Sequence, residues 1–269
     1  MDNDDAVAVL VVRPRAQADA WVGELDALGV PARALPLIEI VPAPDAAGVE
    51  AVFAQVEASA AEPVLVFVSP NAVLGFFEAV ERTRGTPAHA LAWPARAWAA
   101  ATGPGTVAAL RECGVPAERI AAPAADATQF DSEALWSAVR GWPWAARPVW
   151  IVRGNGGRDW LGQQLRDAGA DVHVVQSYGR VAPAFSDVER ALLAEALTQP
   201  VRWIWMFSSS EAIDHLQALA PTASWQAARA LASHPRIAER ARALGFGAVT
   251  LVSPTALSVA EAVSRQRVG

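Results

Sequence analysis

Apolar residues fall along this chain in short unbroken runs, separated by stretches where they recur every three or four positions. Residues 6–12, 64–68, 97–102, 149–152, 203–207, 230–231 and 249–252 are runs of the first kind. They predict strands buried on both faces. Residues 17–28 carry Trp21, Val22, Leu25 and Leu28 on one stripe and stop at Gly29, which predicts a helix. Pro70 stands where another helix would start. Gly103-Pro104-Gly105-Thr106 opens a helix over 107–113 capped by Gly114, and Gly154-Asn155-Gly156-Gly157 precedes one over 158–168. Strands alternating with helices predict an α/β fold of doubly wound parallel sheets, in which ligands bind outside the carboxyl ends of the strands.

The pattern repeats. A shift of 140 residues places Val12-Arg13 on Val152-Arg153, Leu25 on Leu165 and Gly29 on Gly169. The same shift places Phe67-Val68-Ser69 on Phe207-Ser208-Ser209. A shift of 131 brings Thr102-Gly103-Pro104 onto Ser233-His234-Pro235, and Asp131 to Leu135 match Ser253 to Leu257 further on. Two similar half-chains building two similar domains is the economical reading. The repeat alone leaves open whether the domains follow one another or exchange strands.

Polar residues gather at the predicted strand ends: Arg13-Pro14-Arg15, Ser69-Pro70-Asn71, Thr102 to Thr106, Arg153 to Arg158, Ser208-Ser209-Ser210, Ser233-His234-Pro235-Arg236 and Ser253-Pro254-Thr255. Hydroxyls and glycines at helix N-termini expose backbone N–H groups and the positive end of the helix dipole, which suits anions. Arginines add bidentate recognition of carboxylate or phosphate. Each turn also has a plainer reading, since Ser and Thr are ordinary N-caps and a glycine run can be a tight turn. No turn carries a paired carboxylate, a Cys–His pair or a nucleophile elbow.

Composition narrows the chemistry. Among 269 residues, all 22 basic ones are arginine, which removes Schiff-base and Walker-lysine chemistry. Cys113 is the only cysteine, and the four histidines (His89, His173, His215, His234) lack metal-ligand spacing. No metal site is therefore expected from the Cys and His pattern. Cys113 reads as a small buried hydrophobe and His173 as structural; Trp203 and Trp205 flank a strand and pack. A net charge of −6 without a basic cluster argues against nucleic acid, and the longest apolar run is far below the ~20 residues of a membrane span. With its acidic start, Met1 to Asp5, the chain is expected to be cytoplasmic. Residues 265–269 read either as a frayed tail or as a docking segment.

Tyr178 is the only tyrosine. It lies in the extended run 174–180, the second copy of 35–40, where one domain would hand over to the other. A phenol there either faces a cleft, able to donate a proton, or packs in a linker ladder.

In succession, Val12-Arg13-Pro14, Phe67-Val68-Ser69-Pro70-Asn71-Ala72-Val73, Gly103-Pro104-Gly105-Thr106, Asp131-Ser132-Glu133, Val152-Arg153-Gly154, Tyr178 and Ser208-Ser209-Ser210-Glu211-Ala212 resemble bacterial uroporphyrinogen-III synthases over nearly the whole chain. The resemblance implies two flavodoxin-like α/β domains joined by a two-stranded linker, with the substrate in the cleft between them. One domain would comprise 1–38 with 180–269, the other 39–179. The implied reaction closes the linear tetrapyrrole hydroxymethylbilane to uroporphyrinogen III, with loss of water and inversion of ring D, and without cofactor or metal. The resemblance further implies a monomer and suggests a transient hand-over from hydroxymethylbilane synthase.

By the same resemblance Tyr178 assists departure of the hydroxyl. Arg13, Ser69, Asn71, Thr106, Arg153, Gly154, Asn155, Ser208, Ser209 and Ser210 would hold the substrate. The chain departs from the family at Ser233 to Ile237, where other members have a Gly-Pro-Thr-Thr-like turn. His234 or Arg236 is offered in place of that threonine. The rivals are a non-catalytic two-domain α/β module binding a polyanionic small molecule, and a phosphosugar or nucleotide transferase. The transferase would need an acidic residue at a strand end, and none is present.

Overall fold

The computed structural model describes residues 7–124, 127 and 130–268, with 266–268 described in backbone only. The acidic start, the first residue of the predicted 6–12 strand and the side chains beyond Arg265 lie outside the described residues.

Two compact units form, with boundaries at Glu39/Ile40 and Arg180/Val181; the boundaries expected from sequence lie at 38/39 and 179/180. The unit holding both ends of the chain is called terminal, the other central. The chain begins with β1 (Ala8–Val11), α1 (Arg15–Ala27), β2 (Ala32–Ala34) and β3 (Glu39–Pro42). There follow α2 (Ala46–Ala58), β4 (Val64–Phe67), α3 (Pro70–Arg84), β5 (Trp98–Ala101), α4 (Pro104–Glu112) and β6 (Ile120–Ala121). Then come α5 (Ser132–Val139), β7 (Pro148–Arg153), α6 (Trp160–Asp167), β8 (Asp171–Gln176) and β9 (Tyr178–Val181). The chain ends with α7 (Asp187–Thr198), β10 (Trp203–Phe207), α8 (Ser210–Leu219), β11 (Arg229–Ala232), α9 (Pro235–Leu244), β12 (Ala248–Leu251) and α10 (Ala256–Val268).

The terminal sheet runs β12-β11-β10-β1-β2 and the central sheet β6-β5-β4-β7-β8. Every neighbouring pair is parallel. Followed along the chain, the terminal sheet has the flavodoxin-like order 2-1-3-4-5. The central sheet has the same layout in permuted order. The pair β7-β8 takes the place of β1-β2, while β4, β5 and β6 take the places of β10, β11 and β12. The repeat seen at 140 residues is therefore a repeat of half-chains, and each unit draws two strands from one half and three from the other. Strands β3 and β9, where the chain passes from unit to unit, pair as a separate two-stranded sheet.

Strand periodicity divides each unit into two apolar layers. In β4, Leu65 and Phe67 join Phe53, Phe76, Phe77 and Leu110 of α2, α3 and α4. Val64 and Val66 instead join Leu135, Val139, Leu161 and Leu165 of α5 and α6. In the terminal unit Val9, Val11, Ile204 and Met206 pack with Trp21 and Leu25 of α1 and Val259 and Val263 of α10. Trp203 and Trp205 are part of β10 and are buried, rather than flanking it.

Three predicted elements are corrected. The helix expected at 107–113 already starts at Pro104, because Gly103 takes an extended N-cap conformation and proline fits the first helical position. The helix expected at 158–168 starts only at Trp160, because Gly156 and Gly157 adopt positive φ values of 100° and 109° and carry an irregular loop first. The run 174–180 is broken at Ser177: its first part belongs to β8 and its last to β9. Cys113 follows α4 and is buried; burial, with smaller contributions from Glu112 and Glu81, pushes its thiol up to about 11. His173 stacks on Trp150 and its Nε2 lies 3.2 Å from Asp171 on the edge strand β8. Among the described residues no helix is long and apolar enough to cross a membrane.

Candidate active site

In both sheets the chain leaves the middle in opposite directions, and this switch point lies between β4 and β7 in the central unit and between β10 and β1 in the terminal unit. Side chains just past these strands stand where open α/β sheets bind ligands.

In the central unit, Ser69 follows β4 in an extended conformation and its Oγ accepts the Ala72 N–H at 3.1 Å, capping α3. Tyr178 opens β9 and is only 5% exposed, with its ring in the core layer of Phe67 and Phe76. Its hydroxyl lies 3.4 Å from Ser69 Oγ. The phenol ring rests on Gly154, where a Cβ would come within 2.7 Å of Tyr178 Cζ. Gly75 of α3 admits the preceding peptide, since a Cβ there would lie 2.4 Å from the Ser177 carbonyl oxygen. Ser177, buried, donates its Oγ–H to the Ala72 carbonyl at 2.9 Å.

Arg153 ends β7 and lines a recess of about 140 Å³ with Ser132, Gly156, Gly157, Arg158 and Asp159. Arg158 is held by Glu133 through two bonds of 2.8 and 3.1 Å, and this arginine holds the Glu133 carboxyl below its ordinary range. Arg153 has no carboxylate within ion-pair distance among the described residues. An unpaired guanidinium above a switch point is suited to an incoming carboxylate.

Other predicted residues of this unit differ in availability. Asn71 is the second residue of α3 and half-buried. Thr106 is only 3% exposed, and its N–H goes to the Gly103 carbonyl at 3.1 Å. Asn155 spends its amide on Arg180: Oδ1 accepts the Arg180 N–H at 2.5 Å and Nδ2 donates to the Arg180 carbonyl at 2.9 Å. It fastens the glycine loop to β9.

In the terminal unit, Arg13 follows β1 with its guanidinium 4.3 Å from the Trp21 ring centre. Its Nε is buried without a hydrogen bond, and burial lowers its pKa, opposed by Glu24. Past β10, Ser208 leads to Ser209, which caps α8 by accepting the Glu211 N–H at 3.2 Å, and Ser210 starts the helix. Past β11, His234 caps α9, its Nδ1 accepting the Arg236 N–H at 3.2 Å. Arg236 is exposed beside it. The predicted residues thus collect at one strand edge in each unit.

Sequence reading missed Gly75, Ser177 and Trp21. A glycine in the middle of the 70–84 helix was the available signal, since it costs helix stability and calls for a packing reason. Among the described residues no group of three or more His, Cys, Asp or Glu side chains could hold a metal.

Known proteins resemble this arrangement over almost its full extent. The family model of uroporphyrinogen-III synthase HemD matches residues 19–260. A uroporphyrinogen-III synthase of Salmonella typhimurium is 31% identical over 252 residues, covering 89% of this chain and 92% of that protein. Among solved structures, uroporphyrinogen-III synthetase from Helicobacter pylori superposes with a TM-score of 0.61 at 15% identity, covering 97% of this chain and 100% of the other. A mutant uroporphyrinogen III synthase from Thermus thermophilus gives 0.58 at 18% identity, covering 97% and 98%. The two structures share the fold, and the family model with the Salmonella relative fixes the lineage: this chain belongs to the uroporphyrinogen-III synthase family.

Proposed function

We propose that the strand-edge groups of both units bind the carboxylates of hydroxymethylbilane while Tyr178 gives a proton to the departing hydroxyl. As a uroporphyrinogen-III synthase the chain is a lyase: water leaves, the tetrapyrrole closes, and ring D is inverted. Without a protein the same substrate closes to the symmetric isomer I. Catalysis here is therefore control of conformation more than strong acid or base chemistry. Ring D must attack through its substituted carbon, giving a spiro intermediate that reopens and recloses inverted.

One observation carries the reading: the chain's single phenol is held at the β4/β7 switch point, next to a loop whose Arg153 has no carboxylate partner among the described residues. Arg153 and Arg13 take acetate or propionate groups directly. The N-terminal turns of α3, α8 and α9, with Asn71, Ser208, Ser210 and Arg236, take others. With Thr106 buried and its N–H engaged, that residue shapes the start of α4. A net charge of −6 opposes a polyanion at long range, so these local positive groups must outweigh it. The same reading has the chain acting as a cytoplasmic monomer without metal or cofactor. Hydroxymethylbilane synthase supplies the substrate by transient hand-over.

Freshly generated hydroxymethylbilane, offered to the purified chain, tests this. Oxidised products separated by isomer should be mainly isomer III, with isomer I in the protein-free control. Isomer I at the control rate from a folded preparation would move the non-catalytic anion-binding module to first place.

A further inference from the structure

We infer that Gly154 and Ser69 are positioning residues for Tyr178, one supplying the bare backbone on which the phenol lies and the other the hydroxyl that orients its oxygen. The inference rests on the proposed role of Tyr178 in loss of the hydroxyl.

Gly154 is the stronger half of the pair. A Cβ there would stand 2.7 Å from Cζ and 2.9 and 3.1 Å from the two Cε atoms of Tyr178. Three ring atoms equidistant within a few tenths of an ångström mean that the oxygen-bearing end of the ring lies face-on over the glycine. Gly156 and Gly157 have positive φ, but Gly154 does not. Its lack of a side chain therefore answers to the ring and not to the backbone. Any larger residue would lift the phenol away from the β4/β7 edge.

Ser69 acts on the oxygen. One of its lone pairs accepts the Ala72 N–H, and its own hydrogen is left for the phenol oxygen 3.4 Å away. With Ser69 donating, the phenol O–H is free to point at a substrate, and the phenolate left after proton transfer keeps a donor. Ser177 completes the clamp, because its bond to the Ala72 carbonyl ties the residue before Tyr178 to the same first turn of α3.

A chain with one tyrosine allows a direct reading, since [ζ-¹³C]tyrosine labelling gives a single resonance from Tyr178. Gly154→Ala should move that resonance and lower kcat for isomer III by about tenfold or more, with KM little changed. Added to Tyr178→Phe, the same substitution should change the rate by less than about twofold, because the group it misplaces is already gone. Ser69→Ala should shift the resonance and lower kcat less, and Ser69→Thr should restore both. Should Gly154→Ala fail to fold, the two Ser69 variants carry the test. Full additivity of Gly154→Ala and Tyr178→Phe would overturn the inference. A resonance unmoved by Gly154→Ala and Ser69→Ala would overturn it whatever the activity. A wild-type chain that forms no isomer III would instead remove the proposed function, and the resonance, read without substrate, keeps the two failures apart.

Discussion

The strand edges of the two units share a plan and differ at the residues to which the proposed chemistry is assigned. At the 140-residue spacing Arg13 matches Arg153 and Ser209 matches Ser69, so both edges carry an arginine at or just past the end of the switch strand and a serine capping the facing helix. The same spacing sets Pro14 against Gly154 and Ile38 against Tyr178. The terminal unit thus has neither the phenol nor the bare backbone to seat it. A further pair is more telling. His215 matches Gly75, and Leu37 matches Ser177. In the central unit the Ser177 carbonyl comes so close to α3 that only glycine fits, whereas in the terminal unit His215 Nδ1 donates to the Leu37 carbonyl at 2.7 Å. One fold position is closed by contact, the other is spanned by an imidazole. A repeated fold thus supplies two similar strand edges, and the absence of side chains at Gly154 and Gly75 on one of them makes room for a phenol.

The sharpest break of this contrast is Gly75→Ala. Its Cβ would meet rigid backbone at 2.4 Å, so the central unit should lose about 1–3 kcal/mol in denaturant melts. A neutral result would mean that α3 and β9 are not in tight contact. Next come the arginines. Arg153→Gln and Arg13→Gln should each raise KM by about tenfold while leaving kcat nearly unchanged, the loss expected for one charge-assisted hydrogen bond in each edge. An effect confined to one arginine would show that only one edge binds. His215→Ala should cost about 1 kcal/mol, measured by thermal melt, because the Leu37 carbonyl loses its donor.

Glu133→Gln has the smallest effect. The Arg158 hydrogen bonds hold the Glu133 carboxyl below its ordinary range, so this pair stabilises above the ordinary carboxylate pKa and the contribution is lost as pH falls through the lowered value. Both side chains are well exposed, at 40% and 56%. The wild type should therefore exceed the variant by only a few tenths of a kcal/mol at pH 7, with the gap vanishing in acid. A gap that persists in acid would assign Glu133 a role other than pairing.

Much of this was legible in the order of residues. Buried strands announce themselves as unbroken apolar runs, so β1, β4, β7 and β10 were found within two residues of their ends. Caps such as Ser69 and Ser209 were visible because a hydroxyl before a helix has few other uses. The short edge strand β6, only two half-buried residues, is too short to leave a pattern. Nor could periodicity separate β8 from β9, because Ser177, fully buried at the break, looks like one more residue of an extended run. Site residues were found by position at strand ends, but not by what each one does there. Asn155 and His234 stood out as ligand contacts, and the backbone groups they hold were not visible in the sequence. Such partners lie 25 residues away for Asn155 and two for His234, and neither spacing marks a sequence as a cap or a fastener.

The most direct test sets the two edges against each other at saturating substrate. Single-turnover formation of isomer III should slow by about a hundredfold in Tyr178→Phe, the lower range for loss of a general acid, and stay near wild type in Arg13→Gln. Wild-type turnover by Tyr178→Phe at saturation would contradict the claim that the central edge carries the chemistry and the terminal edge only binds.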